Sequence, residues 1–411
     1  MNSRRALAFI FCTITLDMLA LGLMLPILPR IVLDFVGGDT ALAANVVGIF
    51  AMIWGLMQFI SASLLGALSD RYGRRPVILL SCLGLGLDYI FMAVAPSLTL
   101  LFVGRVISGI TAATITTSAA FIADVTRPEE RGRAFGLIGL GFSIAFVLGP
   151  AAGGLLGSID LRLPLWLAAA ACLLNAAFGW FVLPESLPPE RRMAFSWKRA
   201  SPIGALRLLA RKSELVGLAT TNFLGQLAHQ IFSSVFVLYA AYRYGWGAME
   251  VGLTLALVGL CSGIVQGGLV GPVIARLGER RTLLLGLLLG LLFGPLVMAV
   301  YGLAPTGLLF CLGVVLMAPW GLSGPATQSL MTRLVAPSEQ GQLQGANTAL
   351  SSIATLVGPS LFAVTFAAFI GHRSDRPEVP GSAFLLAALI LLMALGAAWA
   401  ATRRSPAGPP R

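Results

Sequence analysis

The chain has 411 residues, of which 57% are hydrophobic and 11% charged, and its mean hydropathy is +0.88. Soluble domains carry about 25% charged residues, so this balance excludes a soluble globular protein. A formal net charge of +11 would suit a nucleic-acid partner, but the Lys and Arg residues sit in short loops between apolar runs, which excludes that partner and points to a lipid bilayer.

Hydropathy divides the chain into twelve candidate spans, each near the roughly twenty residues an α-helix needs to cross a bilayer. In the first half they cover 6–29, 43–68, 76–95, 98–123, 134–157 and 164–183. In the second half they cover 214–240, 250–275, 282–303, 307–332, 342–370 and 382–402. The expected architecture is an all-α integral membrane protein of two pseudo-symmetric six-helix bundles, 1–183 and 214–402. A cytoplasmic linker, 184–213, joins them, with an interfacial amphipathic turn around Ile203–Leu209, and a short tail covers 403–411. The N-terminal Met1–Arg5 before an apolar stretch looks like a signal peptide. That reading fails because the run continues to Pro29, contains Asp17 and has no small-residue cleavage site.

With the N-terminus placed inside, the inner loops, linker and termini hold 22 Lys and Arg and the outer loops 5. That bias puts both termini and the linker in the cytoplasm. The halves also repeat. Pro128–Gly136 ahead of Gly149-Pro150 returns 209 residues later as Pro337–Gly345 ahead of Gly358-Pro359, and Gly66–Arg75 has a weaker echo at Gly271–Arg281. Such repeats imply a transport path between two related bundles. The five cysteines, Cys12, Cys82, Cys172, Cys261 and Cys311, lie in apolar segments at no metal-ligand spacing and read as buried free thiols. No Ser-His-Asp, zinc or phosphate-loop pattern occurs, so neither an enzyme nor a metal or organic cofactor is expected.

The charged residues inside spans carry the mechanism. Asp17 lies 12 residues after Arg5 and 13 before Arg30, roughly 18 Å from either flank and near the midplane. A charge there costs from about 2.5 to well above 10 kcal/mol, so it must face a cavity or a partner. Burial also opposes the charged form, which suits a carboxyl to carrying a proton. The competing reading is a protonated Asp bonded to its own helix. Asp88 and Arg105 flank the tight turn at Pro96-Ser97, each eight residues from it, so a hairpin sets them at similar depth. Arg105 can pair with Asp17 or Asp88 and release it on protonation, or simply hold the bundle. Between the second and third spans, Gly66–Val77 concentrates charge, with Asp70, Arg71, Gly73, Arg74 and Arg75.

Uncharged polar residues follow. Gln58, Asn222, Gln226, His229, Gln230, Gln266, Gln328 and Asn347 lie within spans, and Asn222, Gln226, His229 and Gln230 share one helical face. Lining a substrate path and gluing helices together are equal readings of this set. His229 could titrate near neutral pH, whereas His372 falls in an outer loop. Gly139, Gly141, Gly149, Gly153 and Gly154 make the fifth span one that packs closely against a neighbour.

Three motifs carry a family resemblance. Gly66-x-Leu68-Ser69-Asp70-Arg71-x-Gly73-Arg74-Arg75 resembles the diagnostic loop of the major facilitator superfamily, Arg105–Ala113 its proton-coupling motif in span 4, and Gly149–Gly154 its antiporter motif in span 5. The stretches Thr15–Asp17, Pro26–Pro29, Gly86–Tyr89, Arg243–Trp246, Gly271–Arg281 and Gln340–Gly345 are similar to the bacterial tetracycline/proton antiporters. The resemblance implies alternating-access efflux from the inner membrane, with a proton as coupling ion and Asp17, Asp88 and Arg105 handling it. It implies a cytoplasmic gate at Asp70, Arg71, Gly73, Arg74 and Arg75, the Asp meeting the start of helix 11, and a small-molecule substrate; a monomer is favoured. Span 8 here lacks the His of those exporters, and Gly290 stands where their span 9 carries an Asp. The implied cargo is therefore a drug-like compound, with tetracycline one candidate, and proton exchange would run through the first half. A sugar or metabolite transporter of the same fold is the alternative, and a non-transporting receptor or scaffold a more distant one.

Overall fold

A computed structural model describes residues 3–111, 114–126, 131–192, 209–210, 213–265, 273, 276, 279–335, 340–370 and 378–403. Every regular element among them is helical. Six helices are long and apolar enough to cross a membrane: Phe9–Phe35, Thr40–Tyr72, Arg74–Val94, Leu163–Val182, Ala346–Phe369 and Ser382–Ala401. Ser213–Ser234 and Phe236–Tyr244 form a seventh span bent by 53°. Shorter apolar helices at Leu98–Thr111, Ile144–Gly157, Ala248–Gly263, Leu292–Leu303 and Gly307–Trp320 fall within the five remaining predicted segments. Their outward faces are apolar, as lipid contact requires: Phe181 is 85% exposed, Leu308 73% and Leu174 69%. The amphipathic turn at Ile203–Leu209 (except Leu209), the repeat landmarks Pro128–Glu130 and Pro337–Glu339, and His372 lie outside the described residues.

Three predicted segments differ in shape. Span 1 runs on past Pro29 through a turn at 25–27 to Phe35, because Pro29 sits at the start of the second helical piece, where its missing N–H costs nothing. Span 7 is bent, not straight. The Ser233 and Ser234 hydroxyls donate back to the Gln230 carbonyl at 3.0 and 2.8 Å, and such back-bonding competes with the helix ladder and bends it. Span 10 changes to a tighter turn over Ala318–Leu322, where Pro319 removes a donor, before resuming at Ser323–Arg333.

The helix ends follow local chemistry. Asp39 accepts from the Leu42 N–H at 2.9 Å and caps span 2. Gly73, at φ +107°, turns the chain between spans 2 and 3 in a conformation that side-chain-bearing residues rarely adopt.

The chain forms two compact units. One holds Met1–Ser201 with Gly245–Gly259, and the other holds Pro202–Tyr244 with Leu260–Arg411. The start of span 8 thus packs with the first six spans. Glycines allow it: a Cβ at Gly154 would come within 2.5 Å of the Ala248 carbonyl oxygen, and one at Gly259 within 2.8 Å of that of Phe146. Span 5 meets span 1 in the same way. A Cβ at Gly149 would lie 2.8 Å from the Gly22 Cα, and one at Gly153 would collide with the Leu23 carbonyl. Backbones this close gain van der Waals contact along their whole length. Gly153→Val should therefore lower the thermal midpoint of the purified protein by an amount equivalent to about 1–3 kcal/mol, the usual cost of overpacking. Gly396→Ala, at a position with open space around it, should leave the midpoint unchanged in the same scan.

Candidate functional site

Two polar sites stand out in the first unit. The deeper one gathers the charged residues of the spans. Asp17, Asp88 and Arg105 are 5%, 2% and 5% exposed. Asp88 and Arg105 lie on adjacent helices of the hairpin and act on each other electrostatically. The Asp88 carboxylate packs against Gly104, where an added Cβ would sit 3.2 Å from Oδ1. Neither Asp88 oxygen has a hydrogen-bond partner among the described residues. The Arg105 guanidinium is held by softer groups. Its Nη1 lies 3.8 Å from the Met24 sulfur, and its Cζ sits 5.3 Å from the centroid of the Trp54 ring. Tyr89, 3% exposed, stands among all three and feels Asp17, Asp88 and Arg105 together. Cys172 on span 6 feels Asp17. Sequence alone singled out neither Tyr89 nor Trp54 as members of this site. Gln58 follows Trp54 by four residues on the same face of span 2 and is half-buried.

The second site is the charged loop. Arg74 is its hub: Nη1 donates to Ser69 Oγ at 2.6 Å and pairs with Asp70 at 2.5 Å, while Nε donates to Asp124 at 3.1 Å. Glu185, just past span 6, accepts from the backbone N–H groups of Arg74 and Arg75 at 2.8 and 3.3 Å. A carboxylate there satisfies donors that a helix start leaves open and meets its positive end. Gly73 makes room, since a Cβ on it would overlap the Glu185 carboxylate. Ser186 ties in by donating to Asp124 at 3.2 Å. Arg75 donates to the Trp180 carbonyl at 2.6 Å and stacks 5.9 Å from its ring, whereas exposed Arg71 lies over Tyr72. The loop is therefore bolted to the ends of spans 4 and 6. Asp124 and Glu185 escape a search of the spans because both stand at helix ends.

A sequence model of the Major Facilitator Superfamily matches residues 8–359 and, in a second overlapping match, 267–411. The chain belongs to the major facilitator superfamily. Its relatives include the tetracycline resistance protein of class C from Escherichia coli, 36% identical over 95% of this chain and 96% of that one. The class G tetracycline resistance protein of Vibrio anguillarum is 35% identical over 92% of this chain and 94% of its own. Among solved structures, the human organic anion transporter MFSD10 matches with a TM-score of 0.70 at 24% identity over 97% of this chain and all of that one, a likeness of fold.

In the second unit of this superfamily member, the predicted polar residues separate into two groups. Gln328 and Asn347 meet: the Asn347 amide donates to Gln328 Oε1 at 2.6 Å and joins spans 10 and 11, while Gln328 Nε2 and Asn347 Oδ1 are buried with no hydrogen-bond partner among the described residues. Gln230 is likewise engaged, donating to Thr355 at 2.9 Å and accepting from Ser233 at 3.0 Å. His229, at the bend of span 7, contacts the rings of Phe232 and Trp320 at 5.6 and 5.5 Å between centroids. Asn222 and Gln226 are half-buried on the same helix, and Gln266 lies outside the described residues. No group of three or more His, Cys, Asp and Glu side chains suited to a metal ion occurs among the described residues.

Because Arg74 serves three side chains at once, its replacement should be felt at the loop. Arg74→Ala should lower the thermal midpoint by an amount equivalent to about 1.5–3 kcal/mol, the scale of hydrogen bonds to charged groups. Arg74→Lys should recover little, because an ammonium cannot span Ser69, Asp70 and Asp124 with a planar fork. Circular-dichroism melts of both variants check this.

Proposed function

We propose that the chain is a secondary active transporter that exports a drug-like compound in exchange for protons, by alternating access. The observation that carries the reading is the closed set of Asp17, Asp88 and Arg105 around Tyr89 in the first unit. Two acids and one cation share a desolvated space in which Asp88 and Arg105 act on each other and all three act on Tyr89. Such a set takes up and releases protons as access changes, because the cost of charge depends on how much water reaches it. The relatives named tetracycline resistance proteins support drug efflux as the task.

In this reading the proton is the only coupling ion and no metal or organic cofactor takes part. The Asp70, Arg71, Gly73, Arg74 and Arg75 loop, fastened to Asp124 and Glu185, works as the cytoplasmic gate latch. Asn222, Gln226, His229 and Gln58 contact the substrate, while Gln230, Gln328 and Asn347 have interhelical bonds that hold the bundle. The excess of 22 over 5 basic residues supports both termini facing the cytoplasm, and the relatives support an inner-membrane location. A monomer suffices, since both acids and the cation come from one chain.

Proteoliposomes loaded with tetracycline and given a pH gradient test the reading. The wild type should move the drug against its gradient and release protons in step. Asp17→Asn and Asp88→Asn should each slow coupled transport by about tenfold or more, the mark of losing a group used in the driven step. Wild-type flux indifferent to the pH gradient would overturn proton exchange, and a sugar moved in place of the drug would favour the metabolite reading.

A further inference from the structure

Directly beside the charged set lies a second, uncharged polar layer. Thr13 Oγ1 donates to Asn175 Oδ1 at 3.2 Å, and Asn175 Nδ2 reaches Cys82 Sγ at 3.6 Å. The three residues are 0%, 3% and 1% exposed. They come from spans 1, 6 and 3, and Cys82 belongs to an apolar cluster with Phe9, Ile10, Ile78 and Phe121. At this burial a lost partner leaves a polar group desolvated, so this is a costly set of polar groups to maintain.

The same three helices also carry the charged layer, at helical spacing. Asp17 is four residues after Thr13, Cys172 three before Asn175, and Tyr89 seven after Cys82. Each pair therefore shares a helix face, one or two turns apart. The lower layer fixes the rotation of spans 1, 3 and 6 against one another, and with it the disposition of the upper layer. Packing by apolar contact alone would not do this, because smooth side chains tolerate small rotations that a directional hydrogen bond does not. Span 5, the other main neighbour of span 1, meets it through glycine backbone, with Gly141, Gly149 and Gly153 against Thr15, Gly22 and Leu23.

We propose that Asn175, with Thr13 as its partner, is a positioning residue that sets the environment in which Asp17 exchanges its proton. This rests on the reading of Asp17 as a proton carrier. Among the described residues, the titratable groups that act with Asp17 include Cys172 from span 6 and Tyr89 from span 3, with Asp88 and Arg105 acting on the same Tyr89. From span 4 the packed side chains include the apolar Phe121 and Ile122, and span 5 presents glycines. Removing the Thr13 hydroxyl or the Asn175 amide frees span 1 to turn relative to Tyr89 and Cys172, and both changes act on Asp17 through the same displacement.

The test uses the full chain in lipid nanodiscs and follows the carbonyl infrared band of protonated carboxyls as pH is varied. The band lost in Asp17→Asn belongs to Asp17, and its titration midpoint is the readout. Thr13→Val, which keeps the shape of the side chain, and Asn175→Leu should both move that midpoint, in the same direction, by about half a pH unit or more. This is the scale on which one buried hydrogen bond acts. The double variant should move it no further than the larger single change, and Thr13→Ser should restore the wild-type value. A role confined to packing would lower the thermal midpoint and leave the titration where it was, and that result overturns the proposal. Should Asn175→Leu fail to fold, Thr13→Val decides alone. Failure of the transport reading is separate: it would appear as wild-type, gradient-driven drug flux in Asp17→Asn, whatever the band does.

Discussion

The cost of placing a guanidinium in a bilayer governs the first unit. Arg105 is 5% exposed, and its contacts are a methionine sulfur and the face of Trp54. A desolvated cation–π contact is worth about 2 kcal/mol. The penalty for the charge runs from about 2.5 to well above 10 kcal/mol. Sulfur and ring together leave most of that range uncovered, so the field of nearby carboxylates must supply the remainder. The cation and the acids are thus interdependent: protonating an acid removes part of what keeps Arg105 in place. In the proposed function, a set balanced in this way responds to one proton with a change in the packing preference of several helices. That is what a coupled transporter requires of its charged core.

The cytoplasmic loop solves a different electrostatic problem with the same residue type. Arg74 is only 9% exposed, but its guanidinium meets two carboxylates and a hydroxyl at hydrogen-bond distance. Among the described residues, no side-chain cation lies within ion-pair distance of Glu185. The Glu185 carboxylate accepts from two backbone N–H groups at the start of span 3. The charges of Arg74 and Glu185 are therefore met by hydrogen bonds at the loop itself, while Asp88 and Arg105 in the spans act on each other electrostatically. The contrast matches the tasks assigned to the two sites, since a latch must hold a fixed geometry and a proton carrier must be ready to change its charge.

Much of this arrangement was legible in the sequence because a bilayer leaves few choices. Twelve apolar runs, two buried acids and one buried arginine follow from hydropathy and from the cost of charge. The tight turn at Pro96-Ser97 also sets Asp88 and Arg105 on facing helices, and they interact in the structure. The breaks were harder to read. Pro319 and Gly321 mark the change in span 10, whereas the bend in span 7 depends on Ser233 and Ser234 bonding back to Gln230, and serine in a span signals little by itself. Asp124 and Glu185 were missed because helix ends are full of acids, and nothing in a single sequence tells a docked carboxylate from a solvated one. The joining of Gly245–Gly259 to the first unit has no hydropathic signature at all, because it rests on glycine contacts between residues a hundred positions apart.

Asn175 shows where sequence reasoning could have gone further. It is a lone amide in a span that is otherwise apolar, and the rule that drew attention to Asp17 applies to it as well, with a smaller penalty. An amide cannot shed its polarity by taking up a proton, so its only way to lower the cost of burial is a directional partner. Thr13 provides one from span 1 and Cys82 a weaker one from span 3. A carboxyl one turn away has a second option, which is to change its charge. The two layers therefore divide the work by chemistry: the groups that cannot titrate set the geometry, and the groups that can are left to respond.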